Sequence, residues 1–323
     1  MDKKQGMKKQ QDKKITIGDV AAALGVSKTT VSRAISGKGR ISKETTQKVQ
    51  DYIKANDYRP SLIAKGLAES KTFNIGFVLP LDYTLEELPF FYQCMMAVVE
   101  IAESMNYDVV VIQCSDKDID NLKRIVSNHK IDGIILTRTY TKDLAVEYLL
   151  EKKISFITIG SSSYDKVIQI DYDHQGACKE LTSVILMKGV RKLALIGGDE
   201  NQVVNKKRLK GYLAAHEISH IPIHPENIYL NLETDSQICN VVESLIMKRI
   251  DCIICMDDYF CNGVLQKLKA ERIMIPRDIM VASFYNSRLL EIILQPLHLL
   301  LLIVISWEFM HVGLYWIYWQ ERK

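Results

Sequence analysis

Between Val26 and Ser42 the chain reads VSKTTVSRAISGKGRIS, which carries Lys28, Arg33, Lys38 and Arg40 and no acid. Ser27, Thr29 and Thr30 set hydroxyls beside the first two cations. Hydroxyls and the N–H groups of a helix end suit phosphate oxygens and base edges, and an arginine can address guanine bidentately. Chemistry of this kind recognises a nucleic acid; it breaks no bonds.

Positioning those side chains takes two crossing helices. The pair needs a small residue at the crossing, a glycine that tolerates φ > 0 in the turn, and an apolar residue on the second helix facing the first. Ala21, Gly25 and Val31 meet these demands, with Leu24 and Ile35 helping to close a small core. Thr16 precedes IGDVAAAL with Asp19 three residues on, a capping-box spacing. Ser27 is placed to cap KTTVSRAI. Ser42 is placed to cap a third helix over roughly 43–55, where Val49 and Ile53 fall four apart on one face. The second helix then turns Val31 inward and Lys28, Thr29, Thr30 and Arg33 outward, with Ser27 at its N-terminal end. Lys38 and Arg40 follow in a loop, placed for phosphates.

Any amphipathic helical hairpin can show the Ala/Gly/Val spacing, so charge decides. Residues 1–72 hold 16 Lys and Arg against 7 Asp and Glu, and the remainder holds 26 against 32. A basic head on a mildly acidic body is the asymmetry of a chain whose head meets a polyanion. The leading MDKKQGMKKQQDKK is charged and lacks an apolar core region, so residues 1–14 read as a disordered basic arm and not as a secretory signal.

From Phe73 the pattern changes. The β-rich runs FNIGFVL, YDVVVIQ, IDGIILT, ISFITIG, KLALIG, DCIICM and IMVASF alternate with amphipathic helical stretches. Near-continuously apolar strands separated by helices imply parallel sheets covered on both faces. The spacing suits two lobes, 73–160 and 161–291. Between head and lobes, SLIAKGLAESKT is short and weakly apolar, and Gly66 costs it about 1 kcal/mol of helix stability relative to Ala. It is a linker, or a helix that forms only against a partner.

Little here supports catalysis. IGGDEN is a lone Gly pair without the spacing that cradles phosphates, the histidines lack metal-ligand spacing, and no serine sits in a GxSxG elbow. Cys252 and Cys255 form a CxxC inside the apolar run DCIICM with no second pair, which favours core packing over zinc or redox work. Seven cysteines without a framework point to a reducing, cytoplasmic setting. The chain is expected to be no enzyme and to need no cofactor or metal.

The N-terminal region ITIGDVAAALGVSKTTVSRAISGKGRISKETTQKVQDYIKANDYRPSLIAKGLA closely resembles that of the lactose/galactose (LacI/GalR-type) repressor family of bacterial transcription regulators. The patterns DVAxxxGVSxxTVSRxIxG, ISxxTxxKV and YRPxxxAxxL all match. The resemblance implies a helix-turn-helix domain over 15–60 whose Lys28, Thr29 and Arg33 read bases of double-stranded operator DNA in the major groove. It implies a hinge helix over 61–68, within a hinge and linker segment 61–72, ordered when two subunits of a homodimer meet on the operator. Leu67 falls at the position that wedges into the minor groove. A helix too weak to form alone can order on DNA, and an unstacked base step is offset by added contacts.

The body resembles the same family's periplasmic-binding-protein-like core, which closes on a small-molecule effector, often a sugar. DYDHQGACKELTSVILMKGVRKLALIGG followed by RLKGY matches the opening of the second lobe. Carried over by position, Arg208 grips ligand hydroxyls or a carboxylate through its planar fork. Asp257 contributes from the C-terminal end of a strand, where open α/β sheets bind ligands. Asn286 falls where the family usually has Asp, so a hydrogen bond survives there and a charge is lost. The expected fold is an all-α helix-turn-helix head on a two-lobed α/β body of parallel sheets, with an incomplete C-terminus.

That last expectation comes from the tail. Residues 292–323 contain all three tryptophans, and over 292–319 a single acid, Glu308, and no Lys or Arg. About 20 apolar residues span a bilayer, so a membrane anchor is one reading, against which Pro296, His298, Glu308 and His311 weigh. A shifted reading frame is the other. Read from one nucleotide upstream, the codons permitted by Ser306–Arg322 allow an amphipathic helix of the style LGVYACRxLLDLLAGK. Restoring one A near codon 292 permits ENNxPAITS. Both resemble what the family carries, and the expected consequence is a body with uncovered apolar faces and impaired dimerisation and effector response. Two further readings stand beside the repressor: a tail-anchored membrane protein with a cytosolic DNA-binding head, and an α/β sugar-binding protein without DNA function.

Overall fold

The computed structural model describes residues 15–37, 39–58, 62–81 and 89–285, and the chain divides into compact units at 72/73. In the first unit α1 (Ile17–Leu24), α2 (Lys28–Ser36) and α3 (Lys43–Ala55) enclose a small core of Val20, Ala21, Val31, Ala34, Val49 and Tyr58. Thr16 and Asp19 form the reciprocal capping box: the Thr16 N–H donates to Asp19 Oδ2 at 2.8 Å and the Asp19 N–H to Thr16 Oγ1 at 3.3 Å. Ser27 Oγ accepts from the Thr30 N–H at 3.0 Å, and Ser42 Oγ from the Thr45 N–H at 3.1 Å. Each serine satisfies a helix-start amide that would otherwise lack a partner. Gly25 ends α1 at φ 64°, a left-handed turn that a side chain resists. After this bundle comes α4 (Leu62–Glu69).

The second unit holds two sheets, each wholly parallel. The first has the order β2-β1-β3-β4-β5, from β1 (Asn74–Pro80), β2 (Asp108–Cys114), β3 (Gly133–Leu136), β4 (Phe156–Ile159) and β5 (Ile168–Ile170). Its crossover helices are α5 (Pro89–Ser104), α6 (Asp120–Ser127) and α7 (Leu144–Glu151). The pleat of β1 sends Ile75, Phe77 and Leu79 toward Cys94, Val98 and Ala102 of α5. Val78 turns to the opposite core, beside Leu122 and Ile125 of α6 and Val146 and Leu149 of α7.

The second sheet has the order β7-β6-β8-β9, from β6 (Leu193–Ile196), β7 (Ile228–Tyr229), β8 (Cys252–Cys255) and β9 (Met280–Ser283). It is covered by α8 (His174–Met187), α9 (Val203–Ser219), α10 (Asp235–Met247) and α11 (Asp258–Ala270). Gly211 lets α9 lie close on α8, since a Cβ there would run into the Gln175 carbonyl oxygen and Cys178 Cβ. Cys252 packs with the α8/α9 core and Cys255 with the α10/α11 core. Residues three apart on a strand face opposite sides, so this CxxC cannot converge on one metal.

Two expectations need correction. The boundary at 160/161 cuts the first lobe short, because β5 pairs with β4 (Ile157↔Ile168, Ile159↔Ile170) and extends that sheet to Ile170. And nine strands form among the described residues where seven apolar runs were legible. The two missed, β5 and β7, have three and two residues, too few to show a pattern, and Ile168 and Gln169 of β5 are exposed.

Candidate nucleic-acid face and ligand cleft

On the head, the side chains singled out by type lie on one exposed side of α2. Val31 and Ala34 are buried, whereas Ser27, Lys28, Thr29 and Arg33 are exposed and Thr30 is half-exposed. Thr30 Oγ1 and Ser27 Oγ share a 2.8 Å hydrogen bond that steadies the N-terminal turn. The Lys28 stem runs beside Gly18 of α1, and the Arg33 stem beside Gly39. Arg40 is exposed in the loop, while Lys38 lies outside the described residues. On α4, Leu67 is 86% exposed.

In the body, the residues that follow successive strands converge on one cavity of about 160 Å³. Thr137–Thr139 follow β3, Gly160 and Ser161 follow β4, and Asp171 and His174 follow β5. From the second lobe come Gly198, Asn205 and Arg208 after β6, Asp257–Phe260 after β8, and Tyr285 after β9. All are carboxyl ends of parallel strands, where crossover loops leave a crevice and helix N-termini point inward.

Arg208 and Asn205 sit three apart on α9, one face of the helix, and are 7% and 4% exposed. Among the described residues Arg208 Nε and Asn205 Oδ1 have no hydrogen-bond partner. The Asn205 amide is oriented by its Nδ2, which donates to the Asp199 carbonyl at 3.0 Å and so aims the oxygen elsewhere. Asp257 caps α11, accepting from the Phe260 N–H at 3.2 Å. Burial pushes its carboxyl up to about 6, against the opposing Arg208 guanidinium and with Asp258 adding to the rise. Aromatic rings complete the wall. Phe90 meets Phe91 edge-on at 5.2 Å and Tyr285 at 5.9 Å, and the Arg138 guanidinium lies 5.8 Å from the Phe91 ring centre.

Of the three cleft residues expected from sequence, Arg208 and Asp257 line this cavity and Asn286 lies outside the described residues. Asn205, Asp171, His174 and the aromatic set went unnoticed. For Asn205 the signal was present, an amide three residues before Arg208 on a helix. Asp171 and His174 follow an edge strand invisible in the pattern, and the rings of PFFY read as ordinary core.

Residues 16–61 match the model of the bacterial regulatory proteins of the lacI family, and 72–295 match the periplasmic binding proteins and sugar binding domain of the LacI family. Catabolite control protein A of Staphylococcus xylosus is 28% identical over 298 residues, 88% of each chain. The transcriptional regulator MalR of Streptococcus pneumoniae is 30% identical over 270 residues, 81% of this chain and 82% of its own. A similar fold is that of the lac repressor dimer bound to operator and an anti-inducer, with a TM-score of 0.67 at 20% identity, covering 84% of this chain and 82% of that one. Both parts of the molecule, the head with its exposed α2 and the two-lobed body with its cleft, therefore place the chain in the LacI family of DNA-binding bacterial transcriptional regulators.

Proposed function

We propose that the chain regulates transcription from a double-stranded operator and that a small polyhydroxylated molecule, a sugar or close relative, controls it from the cleft. The observation that carries the effector class is the pair of unmet groups on α9. Arg208 Nε offers a donor and Asn205 Oδ1 an acceptor, both buried. A hydroxyl answers both at once. A carboxylate or phosphate oxygen satisfies the first and leaves the second unmet, at a cost of about 1–3 kcal/mol. Phe90, Phe91 and Tyr285 supply the flat apolar faces against which the C–H side of a sugar ring packs. The cleft binds its ligand without turning it over, in keeping with relatives that are regulators. Thermal shift of the full chain against a panel of mono- and disaccharides, their acids and their phosphates tests the class. A neutral sugar raising Tm in the wild type and not in Arg208→Met is expected, and stabilisation by acids or phosphates alone overturns it.

On the head, Lys28, Thr29 and Arg33 address base edges, while Ser27, Thr30, Lys38 and Arg40 hold phosphates, and Leu67 enters the minor groove. A homodimer would present two such heads. Tyr92, Met96 and Val99 form an exposed apolar stripe at i, i+4 and i+7 of α5 that suits a second subunit. Cytoplasmic residence follows from these partners. No helix among the described residues is long and apolar enough to cross a membrane, and the tail at 292–323 lies outside them, as does the arm at 1–14. A frame shift near codon 292 accords with a family match that runs to residue 295.

A further inference from the structure

Where the chain passes from the first lobe to the second, polar side chains from three segments meet. Asp171 follows β5, and its carboxylate side chain is 10% exposed. It accepts a hydrogen bond from Ser161 of the loop after β4, lies 3.0 Å from His174 Nε2 at the start of α8, and lies 3.3 Å from Lys207 Nζ of α9. Lys207 also donates to Ser161 Oγ, so one ammonium of the second lobe meets two side chains of the first. Burial alone would raise the Asp171 pKa, but the adjacent His174 imidazole, with the Ser161 hydroxyl, holds it at about 2.

The backbone is joined alongside. The Thr141 N–H donates to the Asn201 carbonyl at 2.8 Å, and the Val203 N–H to the Thr139 carbonyl at 3.1 Å. The Thr139 hydroxyl donates to the Ser161 carbonyl. First-lobe loops after β3 and β4 are thus tied to the second-lobe loop after β6 and to α9, the helix that carries Asn205 and Arg208 into the cleft.

We propose that Ser161, Asp171 and Lys207 form a clasp that holds the two lobes together and so positions Arg208 and Asn205 for the ligand. Lys207 is a positioning residue: it precedes Arg208 on α9 but bonds across the lobes, not to the ligand. The proposal rests on the two-lobed body alone and is independent of what the cleft binds. A charged hydrogen bond between a mostly buried carboxylate and a lysine whose side chain is 36% exposed is partly screened. A clasp of this strength biases closure without locking it, and a less populated closed state lowers apparent affinity in proportion.

Hydrogen exchange of the ligand-free full chain reads this directly, because the Thr141 and Val203 amides are protected only while the lobes touch. In Lys207→Met and in Asp171→Asn, segments 139–143 and 200–204 should exchange about tenfold faster than in the wild type. Core segments around Phe77 and Leu195 should keep their rates. The double variant should go no further than Lys207→Met alone, which already removes both contacts of the ammonium, and Lys207→Arg should stay near wild type. Unchanged rates at 139–143 and 200–204 overturn the clasp. So does equal acceleration at Phe77 and Leu195, which marks loosening of the whole body, or a double variant in which the two effects add.

Discussion

Replacing Asp257 by Asn should make the body more stable at neutral pH, although Asp257 is among the residues placed for ligand. Its carboxyl titrates at about 6 in the folded chain, against about 3.9 for an unfolded aspartate. Between those values the native state holds the proton more tightly than the unfolded state, so folding is favoured by acid and weakened as pH rises through about 6. The gap converts to about 3 kcal/mol at neutral pH for a carboxyl wholly withdrawn from solvent. Asp257 as a residue is only partly buried and faces the cavity, so water reduces this to about 1–2 kcal/mol. Asn keeps the side-chain oxygen that caps α11 at Phe260 and carries no charge. Urea unfolding of wild type and Asp257→Asn at pH 4, 5, 6 and 7.5 measures the difference, in which other titrating groups cancel. The difference should be near zero at pH 4 and grow in favour of Asn up to pH 7.5. A variant less stable than wild type at pH 7.5, or a difference independent of pH, refutes the reasoning and shows that Arg208 already compensates the charge.

His216 should act in the opposite direction. It is 2% exposed, packs 4.7 Å from the Tyr212 ring, and is held with Nδ1 3.2 Å from the Ile221 carbonyl while Nε2 has no partner among the described residues. Burial pulls its pKa below 6.5, so stability falls as pH drops through 6.5, and His216→Gln should flatten that acid limb in a Tm-versus-pH series. Gly211→Ala should lower the urea midpoint by the equivalent of about 2 kcal/mol or more, since the new methyl meets the α8 backbone; an unchanged midpoint would mean that α9 can slide. Sequencing the gene should reveal an A-run one base short of that in close homologues near codon 292, and an intact frame there would leave the hydrophobic tail as a designed segment. In the shifted case the full chain should aggregate on warming, with the first lobe's edge at Ile168 uncovered.

The head was legible because each of its signals is local. Thr16, Ser27 and Ser42 announce three helix starts and Gly25 the turn, each fixed by neighbours within four residues, and Ala21 and Val31 mark the crossing only ten residues apart. Ala34 and Tyr58 escaped notice because an alanine and a distant tyrosine carry no periodic signal of their own. In the body, strands such as GIIL, LALI and CIIC are buried on both faces and read as apolar runs. The cleft is different in kind. Its polar groups lie on loops after strands and on the helices that follow them, far apart in sequence, and only the sheet order brings Ser161, Asp171 and Lys207 together. Resemblance reached Arg208 and Asp257, and Asn205 carried a signal three residues before Arg208, whereas the meeting of Ser161, Asp171 and Lys207 needed coordinates.

The most direct test of the account is selection of genomic fragments by the full chain, followed by salt titration of the fragment recovered. The account predicts one preferred, pseudo-palindromic duplex. Its affinity should fall steeply between about 50 and 200 mM salt. Arg33→Ala should lose about 1–3 kcal/mol at a defined base position, whereas Arg40→Ala weakens all sequences alike. Binding without sequence preference, or a preference that Arg33→Ala leaves intact, would contradict it.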